Sequence, residues 1–380
     1  MSSAHTHYDH VLWASSSSEA IFEQLIRMGI KKNQAVLSKK LDSVWENTKP
    51  EDLFRVAKLW MSVLAKAGVH LAGLEEAGFP GQTAKLKSVL MEAERVSLDS
   101  GASLRIRSAA IEALSRGGEL HDSVMLTLGK LIQPTENPDL RYSAITAVGN
   151  MTQIDSARML LGTWPGLLAA ERVKALDVLL SRAAWQVELL EALESERISA
   201  NGFSAVYRDR LLKSRNKSTA DRAKRIFNAL VSPDRAETLV NYLPVLKLKG
   251  NAKEGRLVFT MLCAECHAPD KQHGPDLRSI TDRSGEGLLA AIIDPSRQVD
   301  PKYTAYTVVL KNGRGMVGII GSESGQSLEI KVPGVGDQSI NRNQIKSLTS
   351  LDQSLMPNGL EAGLTNQNIA DLIVFLKTNN

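Results

Sequence analysis

A recurring helix pattern constrains this chain more than any other feature in it. Ile106-Arg107-Ser-Ala-Ala110-Ile-Glu-Ala113-Leu114 matches the beat of Leu140-Arg141-Tyr-Ser-Ala144-Ile-Thr-Ala147-Val148. Arg172-Val-Lys-Ala175-Leu-Asp-Val178-Leu179 keeps it, and Asp221-Arg222-Ala223-Lys-Arg-Ile226-Phe-Asn-Ala229-Leu230 is a looser copy. Arg107 and Arg141 stand 34 residues apart, and Arg141 and Arg172 stand 31 apart. The apolar spacing predicts a second helix after each of the first three, over 120–132, 155–161 and 183–193. One such pair cannot bury its apolar face alone, so pairs repeated at this period stack into an α-solenoid. An irregular helical bundle is the competing arrangement.

The pattern resembles HEAT-type repeats, whose small alanines let neighbouring helices approach closely. Upstream, Ile21, Phe22, Leu25, Ile26 and Met28 give one apolar helix face, and Leu53, Val56, Leu59, Trp60 and Val63 give another. Residues 67–82 read as a loop or bent connection, and 234–246 as a last helix. The Met and Trp positions here read as core. A length of 380 residues suggests two or three domains. With 43% apolar and 23% charged residues, the chain is not of the disordered class. No stretch approaches the ~20 uncharged apolar residues of a membrane span. A net charge of +4 is too small to argue for a nucleic-acid partner. Glycine marks a boundary: 13 lie in 1–249 and 14 in the much shorter 250–380. The expected organisation is a helical-repeat domain over 1–249 and a second domain over 250–380.

The second domain holds the chemistry. Cys263-Ala-Glu-Cys266-His267 is C-x-x-C-H, the pattern of covalent c-type haem attachment. Two thiols one helical turn apart can add across the two vinyl groups of one porphyrin, and the adjacent imidazole then supplies the proximal iron ligand. A C-x-x-C pair also suits zinc or redox chemistry. A zinc tetrad of Cys263, Cys266, His267 and His273 would require neighbouring residues 266 and 267 to share one tetrahedral site, and it would leave the rest of the domain unexplained. Gly255, Phe259 and Cys263 recur at i, i+4 and i+8 on one helix face, with the glycine open to a second helix. Ile369, Leu372, Ile373 and Leu376 form that second helix behind an N-cap at Thr365, and Phe375 is the expected aromatic partner of the Gly255 face. Gly274-Pro275-Asp276-Leu277 is a turn, and the Pro275 carbonyl is the expected acceptor for the other ring nitrogen of His267. Met356, just before the last helix, is the expected distal ligand through its soft thioether. Met316 reads as strand core. His273 lies too near the proximal side to reach the opposite face.

Gly-x-x-x-Phe-x-x-x-Cys-x-x-Cys-His, then Gly-Pro-Asp-Leu, then Met-Pro before a terminal helix, is similar to the layout of class I cytochromes c. More closely, residues 250–380 resemble the haem-binding domain at the C-terminus of large planctomycete and verrucomicrobial proteins. Ile293-Asp-Pro-Ser296, Tyr303-Thr-Ala-Tyr-Thr-Val308-Val-Leu-Lys-Asn312-Gly313 and Ser354-Leu-Met-Pro357-Asn-Gly359-Leu carry that closer match. In that family helical repeats often precede the cytochrome, and a β-propeller dehydrogenase-like domain often precedes both. The resemblance implies one covalent haem c on Cys263 and Cys266. It implies His267 and Met356 as iron ligands, and Pro275 and Leu277 lining the cofactor. This chain departs from the pattern in the short gap between His267 and Gly274. No propeller is present in it, so no dehydrogenase activity is carried over.

Alternation over 303–346, with Asn312-Gly313 as a hairpin signal, predicts a small β insertion in the cytochrome. The fold expected is therefore mainly α: a HEAT-like α-solenoid followed by a cytochrome c domain with a β insertion. The function expected is electron transfer without catalysis, to a redox partner protein or a dehydrogenase domain. Two alternatives stand beside it: a haem enzyme or gas sensor with an open distal site, and a structural interaction protein with a zinc site. Arg278, Tyr303 and Tyr306 read first as packing residues and second as contacts to haem propionates. His5, His7 and His10 read as a tag-like terminus, and His70 and His121 as surface or satisfied groups. No basic and apolar leader opens the chain. Its start, MSSAHTHYDH, reads as appended or as the cut end of a longer chain, and thioether chemistry implies a periplasmic or otherwise exported setting.

Overall fold

The computed structural model describes residues 42, 45, 46, 48, 52–66, 69, 71–77, 79, 81–116, 120–229, 233–269, 271, 273–280 and 282–378. The face expected around 21–28 and His5, His7, His10 and His70 lie outside them. The described chain is mainly helical, with a five-stranded antiparallel sheet near its C-terminus. It divides into two compact units. One holds the residues up to Gln133 with Asp139–Leu160, and the other holds Pro134–Pro138 with the residues from Leu161 onward. The expected boundary at 249 falls inside the second unit.

The first unit contains α1 (Leu53–Lys66), α2 (Gln82–Leu98), α3 (Leu104–Leu114), α4 (His121–Leu131), and most of α5 (Pro138–Asn150) and α6 (Ile154–Thr163). Each expected repeat helix is there within a few residues. Ser103 starts α3 by accepting a hydrogen bond from the Ile106 amide. Trp60 is fully buried and meets Phe79 edge-on at 5.6 Å. The arginine of the repeat pattern is not a surface group. Arg107 is 5% exposed and Arg141 0%, and Arg107 Nε donates to the Ser97 carbonyl at 2.8 Å.

The second unit continues with α7 (Ala169–Leu179), α8 (Ala183–Glu194), α9 (Ala205–Leu212), α10 (Lys217–Asn228) and α11 (Pro233–Tyr242). Then come α12 (Ala252–Leu262), the single turn α13 (Ala264–His267), α14 (Gly285–Ile293) and, after the sheet, α15 (Asn366–Thr378). The sequence pattern did not reveal α14. Its two glycines weaken the helix signal, but Ser284 caps it by accepting from the Gly287 amide.

The sheet is a meander of β1 (Thr304–Leu310), β2 (Gly315–Glu323), β3 (Ser327–Val332) and β4 (Gly336–Asn341), after which β5 (Ile345–Ser354) returns along the free edge of β1. It lies where β structure was expected and runs eight residues past 346. The Asn312-Gly313 turn is a three-residue loop: the Leu310 amide donates to Arg314 O, and Gly313 takes the left-handed conformation at φ +87°. Tyr306, Val308, Leu310, Met316, Leu328, Ile330, Ile340, Ile345 and Leu348 point into the sheet's core, and Leu168, just before α7, completes it. Met316 is thus core, as expected. Tyr306 is 2% exposed and its hydroxyl donates to the Leu167 carbonyl at 3.0 Å, a packing role.

A second core joins α12, α14 and α15 through Val258, Leu288, Leu289, Ile292, Ile293, Ile369, Leu372, Ile373 and Leu376. These two cores position the candidate site.

Candidate functional site

Helix α12 begins at Asn251, whose side chain accepts from the Lys253 amide, and runs to the first cysteine. Its partner is α15, capped by Thr365 as expected: Thr365 Oγ1 accepts from the Asn368 amide, and Asn368 Oδ1 accepts in return from the Thr365 amide. Asp371, 4% exposed, accepts from the Asn251 amide at 2.7 Å and from Gln367 Nε2 at 2.8 Å, which ties the two helix starts together. The crossing is close because Gly255 has no side chain. A Cβ there would overlap the Asp371 carbonyl oxygen and come within 2.8 Å of Phe375 Cβ. One turn on, the Phe259 and Phe375 rings pack at 5.3 Å. Gly255→Ala is expected to destabilise the second unit by about 2 kcal/mol, because overpacking against backbone cannot be relieved by a rotamer change. A urea unfolding midpoint equal to the parent's would contradict this.

The Cys263 amide closes α12 on the Phe259 carbonyl at 2.8 Å, and the Cys266 and His267 amides both reach back to the Cys263 carbonyl. Cys263, which caps the turn, and α13 itself therefore bring two free, half-buried thiols and the imidazole within five residues. Cys263 packs against the same apolar cluster as Leu277 and Met356. Burial pushes the Cys263 thiol up from 9.0 to about 11, with the neighbouring Cys266 adding to the shift, and burial raises Cys266 as well. Between pH 9 and about pH 11 the unfolded chain ionises a thiol that the folded chain keeps protonated, so protein with both thiols free loses stability as pH rises through that window. Cys266 is accordingly expected to alkylate before Cys263 when protein with both thiols free is treated with iodoacetamide at pH 8. Mass spectrometry of early time points reads the order, and equal rates would count against it.

His267 Nδ1 lies 2.8 Å from the Pro275 carbonyl oxygen, the pairing expected from the turn. With Nδ1–H donating there, Nε2 is the ring's lone-pair nitrogen. Burial holds the imidazole below its ordinary pKa, against the opposing pull of the Pro275 hydrogen bond, so the ring is neutral at pH 7. Gly274 makes room for it, since a Cβ there would sit 2.8 Å from His267 Cε1. The turn is locked from within. Arg278 clamps both carboxylate oxygens of Asp276 and draws that group down to about 2, and Ser279 Oγ donates to the Asp276 carbonyl at 2.7 Å. Arg278 is thereby engaged with Asp276. Tyr303 and Lys302 line a cleft of about 350 Å³ with Gly274, Asp276 and residues of β2 and β3. His273 has both ring nitrogens shielded and without a hydrogen-bond partner.

Met356 is half-buried, and its amide donates to Ser354 Oγ at 3.1 Å. All six expected residues, Cys263, Cys266, His267, Pro275, Leu277 and Met356, thus belong to α13, the turn behind it, or the apolar cluster that both border. The donor set and its surroundings fit a covalently attached haem: two adjacent thiols, an imidazole oriented through Nδ1, and a thioether on the same apolar core. Among the described residues no group of three or more His, Cys, Asp and Glu side chains is gathered to hold a metal ion. No helix among them is long and apolar enough to cross a membrane. Sequence reasoning missed Glu361 on the Met356 loop and the roles of Arg235, Tyr242 and Ser296, which hold that loop from distant parts of the chain. A scan against protein-family models finds no match for this chain, and a search of curated proteins finds none.

Proposed function

We propose that residues from about 250 to 380 form a class I-like cytochrome c domain that transfers single electrons. One haem c is bound through thioethers to Cys263 and Cys266, with His267 and Met356 as axial ligands and Pro275 and Leu277 beside the cofactor. The observation that carries the reading is the hydrogen bond from His267 Nδ1 to the Pro275 carbonyl. It fixes the tautomer and orientation that a metal-bound imidazole needs, and the Met356 thioether on the apolar cluster that also holds Cys263 and Leu277 favours haem over zinc as the group it serves. When bound, the haem supplies a reversible one-electron couple whose potential the protein sets. The chain's part is to orient and shield. The Pro275 bond aims Nε2, burial keeps the imidazole neutral, and Leu277 with the α12–α15 core excludes water from one side of the site.

The helices before it act as HEAT-like repeats, a scaffold or docking surface for a redox partner protein or a dehydrogenase domain. The like burial of Arg107, Arg141 and Arg172 supports this. A shared buried arginine, bonded to preceding backbone in Arg107 and Arg172, is a repeat feature that unrelated amphipathic helices do not share. The thioether chemistry implies an exported, periplasmic setting.

The test is an absorption spectrum, oxidised and reduced, of protein made together with cytochrome c maturation factors. The expected outcome is haem that survives a denaturing gel, a thioether-to-iron charge-transfer band in the oxidised form, and no ready binding of carbon monoxide in the reduced form. Colourless protein overturns the haem reading, and coloured protein that binds carbon monoxide readily overturns the methionine assignment.

A further inference from the structure

The segment from Leu355 to Thr365 carries Met356 between β5 and α15, and its one regular piece is a short 3-10 turn over Leu360–Gly363. Such a segment has few backbone bonds of its own, so its position depends on what grips it from outside. At its start the Ser354 amide donates to Ser296 Oγ at 3.2 Å. Further on, Tyr242 Oη donates to the Glu361 carbonyl at 3.4 Å. The strongest grip is on the Glu361 side chain, which is 5% exposed and accepts from Arg235 Nη2. Arg235 Nε meanwhile donates to the Ile293 carbonyl at 2.9 Å. One guanidinium therefore joins α11, the end of α14 and the Met356 segment.

We infer that the Arg235–Glu361 pair is a clasp that positions Met356, keeping the thioether in place as sixth ligand and exogenous ligands out. The inference rests on the His/Met haem reading above and adds residues that reading did not contain. A buried charge left without its partner is strongly unfavourable. The cheapest relief is local: the Glu361 segment swings out to water while the α12–α15 core stays closed. Met356 lies five residues from Glu361 on the same segment and moves with it. Arg235 and Tyr242 both come from α11, before residue 249, so the distal side is governed from the helical part of the chain and not from the cytochrome segment alone.

The test uses the full-length holoprotein with Arg235→Gln, Glu361→Gln and Arg235→Lys. Both glutamine variants are expected to lose most of the thioether charge-transfer band. Their reduced forms are expected to combine with carbon monoxide at least about tenfold faster than the parent. Covalent haem content and amide exchange in α12 stay unchanged, and Arg235→Lys recovers part of the band. Parent-like spectra and rates in both glutamine variants overturn the clasp. Should neither variant fold, amide exchange in the unsubstituted protein decides. Backbone amides of 355–364 as protected as those of α15 support it, and exchange at the rate of an open loop overturns it. A parent without the charge-transfer band fails the His/Met reading itself, which is a separate result from a parent with the band and insensitive variants.

Discussion

Replacing Cys263 and Cys266 together by serine is expected to abolish the proposed covalent haem attachment completely while the helices and sheet remain folded. The two thiols are half-buried and free, and neither takes part in any hydrogen bond described above through its sulfur. What shapes the turn is backbone: the Cys266 and His267 amides on the Cys263 carbonyl, and the Cys263 amide on Phe259. Serine keeps that backbone and changes one atom per side chain. A serine hydroxyl does not form the thioether, so the haem stain on a denaturing gel disappears. Cys263→Ser alone and Cys266→Ser alone are each expected to leave one thioether and a weaker stain. Far-ultraviolet circular dichroism of the double variant should overlay the parent. Haem that stays attached in the double variant would mean attachment elsewhere, and the assignment of this turn would fall.

The second large effect concerns Arg172. Its side chain is 5% exposed and makes five contacts of three kinds. Nη1 donates to Asp352 Oδ1 at 2.6 Å, Nε to the Leu167 carbonyl at 3.0 Å, and Nη2 to the Trp164 carbonyl at 3.4 Å. The guanidinium also stacks 5.0 Å from the Trp164 ring centroid and 6.0 Å from that of Tyr306. Asp352 sits at φ +53°, in the left-handed region. Its neighbours hold it there: Ser350 Oγ donates to Asp352 Oδ1 and accepts from its amide. Arg172→Gln would strand a carboxylate that is 19% exposed and unhook the carbonyls of 164 and 167. The expected loss is about 3 to 5 kcal/mol, the usual cost of removing one partner of a buried pair. Asp352→Asn keeps a residue type that tolerates positive φ and so isolates the charge. Urea unfolding of both single variants and of the double gives the coupling. Additive effects, or a shift below about 1 kcal/mol for Arg172→Gln, the range of an exposed pair, would show that the pair behaves as a surface contact.

Much of this second unit was legible because its signals are local. The 3.6-residue period of 169–179, 183–194 and 366–378 can be read residue by residue. So can the Thr365 cap, the Asn312-Gly313 turn and the spacing of Cys263, Cys266 and His267. Even the Pro275 contact was within reach, because only eight residues separate it from His267. Arg172 and Asp352 are 180 residues apart, and Arg235 and Glu361 126. Along the chain each looks like an ordinary charged residue on a helix or in a loop. No period or dipeptide announces such a pairing, so it emerges only when tertiary structure brings the two ends together. Packing across residue 249 was hidden from the sequence for a related reason. A rise in glycine frequency tracks the change from helix pairs to sheet, whereas compactness follows side chains such as Leu168 that cross that change.

Leu168 seals the hydrophobic interior of a sheet that begins 136 residues later, and the carbonyl of Pro134 receives Arg342 Nη1 at 2.7 Å. The segment from Gly250 onward is therefore no portable cassette. Excised at Gly250 and grafted onto another carrier, it would arrive with an open seam where leucine had been, with Tyr306 and Arg342 each short of an acceptor, and with Asp352 and Glu361 stripped of their arginines. Any natural recombination that shuffled it successfully would have had to carry its stretch of preceding helix along.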